Sequence, residues 1–153
     1  MKRIALIAAA CVPAFGPASA QVPAGEFSFS PVTLGSWGYR SVPGGSEASF
    51  VDTTGTARMA VACGRVTRLV TLSRTSAAPA SSFSLWTSSA TRSLGATFDR
   101  RSGRVIAQVS ANDPLLDAIA FSRGRFALSM PGFPPLVLPA GPALAHVFED
   151  CRA

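Results

Sequence analysis

Histidine, lysine and tyrosine each occur once in this 153-residue chain, as His146, Lys2 and Tyr39. Neither Cys-x-x-Cys nor Gly-x-Ser-x-Gly occurs anywhere in it. A single imidazole cannot build a multi-histidine zinc site. Without Cys-x-x-Cys the thioredoxin-type redox motif is excluded. Without Gly-x-Ser-x-Gly the nucleophile turn of the α/β-hydrolases is excluded as well. A spanning helix is also missing. Phe126 to Phe148 has no Arg, Lys, Asp or Glu, but Pro131, Pro134, Pro135, Pro139 and Pro142 interrupt it. Each interior proline removes a hydrogen bond that lipid cannot replace. That stretch reads as core, so no transmembrane segment is expected after the leader.

What is present begins at the amino terminus. Lys2 and Arg3 are followed by an apolar stretch, Ile4 to Phe15, and by the small-x-small run Ala18-Ser19-Ala20. This is the pattern of a secretory signal peptide over residues 1–20, cleaved between Ala20 and Gln21. The apolar part is too short for a membrane anchor, which needs about 20 residues. The alternative is a lipoprotein acylated at Cys11, after Ala8-Ala9-Ala10. It shortens the apolar stretch to Ile4–Ala10 and puts Ala8 where a large aliphatic residue is usual. The expected location is the periplasm.

Cleavage would remove the only lysine and lower the formal charge from +6 to +4. The remaining cations are all arginines. Guanidinium recognises phosphate and carboxylate in a bidentate way, although codon bias toward Arg, Ala, Gly and Pro accounts for the same composition. Export and scattered arginines argue against a nucleic-acid partner. A basic chain is also electrostatically wrong for inhibiting lysozymes, which are basic themselves.

The pattern along the chain is of many short strands. Phe27 and Phe29 alternate with serines, as Trp37 and Tyr39 do with Ser36, Gly38 and Arg40. Glu47–Asp52 presents Ala48 and Phe50 to one side. Ala57, Met59, Val61 and Cys63 share a face, and so do Val66, Val70 and Leu72, with Arg68 discordant. Further strands are expected over Phe83–Thr87, Ser93–Phe98, Val105–Ser110, Arg125–Met130 and Leu136–Leu138. Turns at this spacing predict a mainly β domain over residues 21–153, an antiparallel β-sandwich or barrel-like fold with two short helices near the C-terminus.

Asp113 as N-cap, Pro114 in the first position and Gly124 as C′ residue frame the first helix. Leu115, Leu116, Ile119 and Ala120 form its apolar stripe, and Arg123 suits its carbonyl pole. The last helix starts at Pro142. Leu144, Val147, Phe148 and Cys151 recur at i, i+3, i+4 and i+7, which buries Cys151. Two cysteines in an exported domain oxidise, so a Cys63–Cys151 disulfide is expected.

Candidate chemistry is sparse. Glu149 and Asp150 lie three and four residues after His146, the spacing of a surface charge contact rather than of a catalytic base. Asp113 and Asp117 read as a cap and a dipole partner. One histidine and two paired cysteines make no metal site, and no cofactor is expected. The turn Arg100-Arg101-Ser102-Gly103-Arg104 is the candidate anion-binding element, set to meet phosphates of the envelope through Arg100, Arg101 and Arg104.

The segments Ser36–Arg74 and Leu115–Phe126, then Leu136-Val137-Leu138-Pro139 and a helix ending in Cys151, resemble small uncharacterised periplasmic proteins of Gram-negative bacteria. The same order of elements is distantly similar to the invasion-associated locus B family. This resemblance implies a β-rich exported domain without known catalytic residues. The expected function is a non-enzymatic periplasmic module binding a protein or an anionic cell-envelope component. The alternative is a periplasmic hydrolase with an unrecognised active site.

Overall fold

A computed structural model describes residues 26–153. The leader, the Ala20–Gln21 cleavage point and Cys11 lie outside these described residues. Alternating apolar side chains build the first sheet from β1 (Gly35–Val42), β2 (Gly45–Asp52), β3 (Ala57–Gly64) and β4 (Leu69–Thr75). The second begins with β5 (Ser82–Trp86) and β6 (Thr91–Gly95), after which β7 (Thr97–Asp99) and β8 (Arg104–Ser110) return to the first. Helix α1 (Pro114–Ala120), strands β9 (Arg125–Ser129) and β10 (Leu136–Pro139) and helix α2 (Pro142–Arg152) complete the chain. The two antiparallel sheets have the orders β1-β2-β3-β4-β8-β7 and β10-β9-β5-β6. The protein is mainly β and sandwich-like, as its periodicity predicts.

Period two puts Ala48, Phe50, Met59, Val61, Val70, Leu72, Val105, Ala107 and Val109 on the inner face of the first sheet, all buried. Phe83, Leu85, Phe126, Leu128 and Leu138 answer from the second. Each large side chain removed from water contributes about 1.5 to 3 kcal/mol. Helix α2 lays Leu144, Val147, Phe148 and Cys151 into the same core. Its last turn carries the Cys63–Cys151 disulfide, with Cα atoms 5.4 Å apart. One seam between the sheets is closed by Trp37. Its indole N–H donates to the Pro139 carbonyl at 2.8 Å, and its ring stacks on Phe126 at 6.4 Å. Among the described residues no helix is long and apolar enough to cross a membrane.

Several local expectations are corrected. Glu26–Phe29 is a 3-10 helix, not a strand. It turns Phe27 onto the outer face of the second sheet, against Trp86, Ala127 and Val137, and leaves Phe29 in solvent. Val66 does not share a face with Val70 and Leu72. It is 94% exposed, on a turn that Arg68 completes with φ 51° before β4 starts. The expected strand Ser93–Phe98 divides at Ala96, where the chain leaves one sheet for the other. Helix α1 stops at Ala120, so Gly124 and Arg123 lie beyond it. The left-handed Gly124, φ 74°, serves the turn into β9 instead. Asp113 is the N-cap and Pro114 follows it, as expected.

Candidate functional site

Strand register gathers charge at one end of the first sheet. Gly35 pairs with Asp52, Met59 with Arg74, Thr75 with Arg104, and Arg104 with Asp99. The β2–β3 and β7–β8 turns, with Arg58 and Arg74, therefore lie at the same end. Both carboxylates there are taken up locally. Asp52 accepts the Thr54 hydroxyl at 2.6 Å, the Thr54 and Thr56 N–H groups and Arg58 Nε. The Thr54 hydroxyl, ahead of Arg58, holds its carboxyl well below the usual range. Asp99 accepts the Ser102 hydroxyl at 2.6 Å and the Arg101 N–H at 3.0 Å, with the same effect on its own carboxyl. Each Asp closes its own turn in this way and keeps its negative charge, but among the described residues neither forms an ion pair with Arg100 or Arg101.

Arg100 and Arg101 are exposed, and among the described residues their guanidinium groups make no hydrogen bond or ion pair. Arg104 behaves differently. It opens β8 and folds over the sheet, donating from Nε to Ser73 Oγ at 3.0 Å and from Nη2 to the Ser73 carbonyl. The hairpin thus offers two of its three arginines outward. Arg74 sits behind them on the inner face, 9% exposed. It donates to the Leu128 carbonyl at 2.9 Å and the Pro134 carbonyl at 2.7 Å. No carboxylate pairs with it. Burial, then the nearby Arg58 charge, lowers its pKa to about 10. It stays charged near neutral pH and adds to the positive potential of this end.

The opposite, helix-covered end collects the other polar groups. The Tyr39 hydroxyl donates to Asp150 Oδ2 at 2.6 Å, and His146 stands edge-on to the Tyr39 ring, centroids 5.2 Å apart. Among the described residues His146 forms no ion pair or hydrogen bond with Glu149 or Asp150; the Tyr39 hydroxyl is the largest influence lowering the Asp150 pKa. Ser46 lies buried below. Its Oγ is close enough to favour the Asp150 anion but is outside hydrogen-bonding geometry. A serine, a histidine and an aspartate thus lie around Tyr39, a grouping that reading the residues singly does not reveal. A nucleophilic relay needs the acid on the histidine and the histidine on the serine. Here the acid is bonded to the tyrosine. Asp117, in the first turn of α1 as expected, also pairs with Arg152 at 2.8 Å.

A cleft of about 420 Å³ opens where the chain switches sheets, lined by Ser81, Gly95, Ala96, Thr97, Ile106, Ala107 and Gln108. It offers no ionisable side chain for acid–base work. Among the described residues no group of three or more His, Cys, Asp or Glu side chains is placed to hold a metal ion. Compared with known proteins, the chain matches no family model, no curated protein and no solved structure.

Proposed function

We propose that this chain is an exported, non-enzymatic module that binds an anionic cell-envelope component, or a protein presenting acidic groups, through the β7–β8 hairpin. One observation carries the reading: Arg100 and Arg101 are exposed, and among the described residues their guanidinium groups make no hydrogen bond or ion pair, while Asp99 and Asp52 bond within their own turns. Bidentate guanidinium groups on a rigid hairpin suit phosphate or carboxylate recognition. Export to the periplasm rests on the leader pattern, and the Cys63–Cys151 disulfide is compatible with an oxidising compartment.

The test is capture from envelope extract at low and at high salt. The expected result is a partner retained at low salt, weakened at high salt, and lost with Arg100→Glu/Arg101→Glu. Capture that ignores both salt and the double variant overturns the hairpin as the binding element. Mass spectrometry of the mature amino terminus tests the leader: Gln21 supports cleavage after Ala20, and an acylated Cys11 supports the lipoprotein.

A further inference from the structure

Two phenylalanines lie almost wholly in water: Phe29 is 93% exposed and Phe121 81%. The local structure explains why neither turns inward. Phe27 takes the outer face of the second sheet, so the short 3-10 helix directs Phe29 away from it. Helix α1 buries Leu115, Leu116 and Ile119 and ends before Phe121, whose φ of −97° and ψ of 10° begin the turn into β9.

Each phenylalanine adjoins in sequence a residue that is bonded to Arg125. Phe29 precedes Ser30, whose carbonyl accepts Arg125 Nη1. The Arg125 carbonyl in turn accepts the hydroxyl of Ser122, the neighbour of Phe121. Arg123 stands exposed beside them. Its backbone N–H is fixed by Ser88 Oγ at 3.0 Å, and its guanidinium has no partner among the described residues. None of these hydrogen bonds of Arg125, Ser122 and Arg123 involves a carboxylate. The patch and the arginine hairpin use different residues: Arg125 opens β9, while Leu128, three residues further along it, is the residue that meets Arg74.

We propose that this patch docks the protein on an anionic lipid surface. The Phe29 and Phe121 rings enter the interfacial layer while Arg123 and Arg125 meet the lipid phosphates. Apolar insertion and cationic attraction are the two signals that together hold a protein at a membrane surface. A soluble polyanion would use the arginines and gain nothing from the rings; an uncharged apolar partner would do the reverse. This docking does not use Arg100 or Arg101.

Co-sedimentation of the purified protein with vesicles tests it. Binding is expected to phosphatidylethanolamine–phosphatidylglycerol vesicles and not to phosphatidylcholine vesicles. Phe29→Ser/Phe121→Ser should weaken it by about tenfold or more. Arg123→Glu should weaken it by about fivefold per unit of charge. Thermal unfolding should match wild type in both variants, since none of these side chains packs in the core. Arg100→Glu/Arg101→Glu should bind the anionic vesicles normally, which separates this surface from the hairpin. Absence of binding to the anionic vesicles, equal binding to phosphatidylcholine, or wild-type binding by the double phenylalanine variant overturns the proposal.

Discussion

Arg92 clamps Asp113 through two parallel hydrogen bonds of 2.7 Å, Nη1 to Oδ1 and Nη2 to Oδ2. The pair ties β6, the edge of the second sheet, to the residue that caps α1. Asp113 Oδ1 also accepts the Leu115 N–H at 2.9 Å, so one carboxylate is both helix cap and inter-element link. Arg92 is the main reason its carboxyl is held below the usual range.

Asp113→Ala removes both roles and should cost about 2 kcal/mol, the sum of a lost cap and a lost charged contact. Asp113→Asn keeps a good capping side chain but loses the paired charge, so its loss should be roughly half as large. Urea denaturation measures both. Equal losses in the two variants would show that the cap contributes nothing.

The Cys63–Cys151 bridge closes a separation of 88 residues and holds the last turn of α2 on β3. In the chain-entropy model a loop of that length stabilises by about 4 to 5 kcal/mol. Reduction, or Cys63→Ser/Cys151→Ser, should lower the urea midpoint accordingly. The slope should rise as well, because the unfolded chain becomes less compact. A midpoint that does not respond to reductant would contradict this.

That bridge was legible because both partners sit in strongly periodic segments, Cys63 with Met59 and Val61, Cys151 with Leu144, Val147 and Phe148. Val66 was misread for a physical reason. The turn from Arg65 to Arg68 contains neither Gly nor Pro, so a period-two reading carries on through it despite the discordant Arg68. For Phe27 and Phe29 the alternation with serines fits a strand, which would put both rings on one face. The 3-10 turn, at three residues per turn, sets them about 120° apart and leaves Phe29 in solvent. The exposed Arg100 and Arg101 follow from turn chemistry alone. The course of Arg104 over the sheet depends on Ser73, 31 residues away, and becomes visible only once β4 pairs with β8. The Phe29–Phe121 patch is more remote still. Its link runs through Arg125 and Ser30, 95 residues apart.

Arg74 should matter more to the β9–β10 loop than to the strand that carries it. Arg74→Ala removes the donor to Pro134 and leaves a void beneath Leu128, for an expected loss of about 2 to 3 kcal/mol. Arg74→Lys keeps the charge but cannot reach both carbonyls, so its loss should be intermediate. Limited proteolysis should then cut near Pro131–Pro134 in the Ala variant before it cuts elsewhere. Cleavage beginning at the Ser76–Ser81 loop instead would show that Arg74 does not hold the β9–β10 connection.

Stability should respond to pH at both extremes. Asp52, Asp99, Asp113 and Asp150 are all held below the ordinary carboxylate range, chiefly by the Thr54 hydroxyl, the Ser102 hydroxyl, Arg92 and the Tyr39 hydroxyl respectively. The unfolded chain therefore takes up protons first. Their contribution is complete above the unfolded value of about 4 and is lost as pH falls through the folded values. Tyr39 has the opposite sign, because the neighbouring Asp150 raises its pKa and the folded state keeps the phenol protonated. Its contribution is complete below about pH 10 and is lost as pH rises beyond that. The urea midpoint should be flat between these limits and fall on the acid side. Above about pH 10 the loss at Tyr39 is opposed by Arg74, whose lowered pKa releases its proton first in the fold. The Tyr39 contribution is therefore read from the difference between wild type and Tyr39→Phe. Asp52→Asn should shallow the acid limb and Tyr39→Phe the alkaline limb. A wild-type midpoint unchanged between about pH 5 and about pH 3 would mean that these carboxylates are no better placed in the fold than in the unfolded chain.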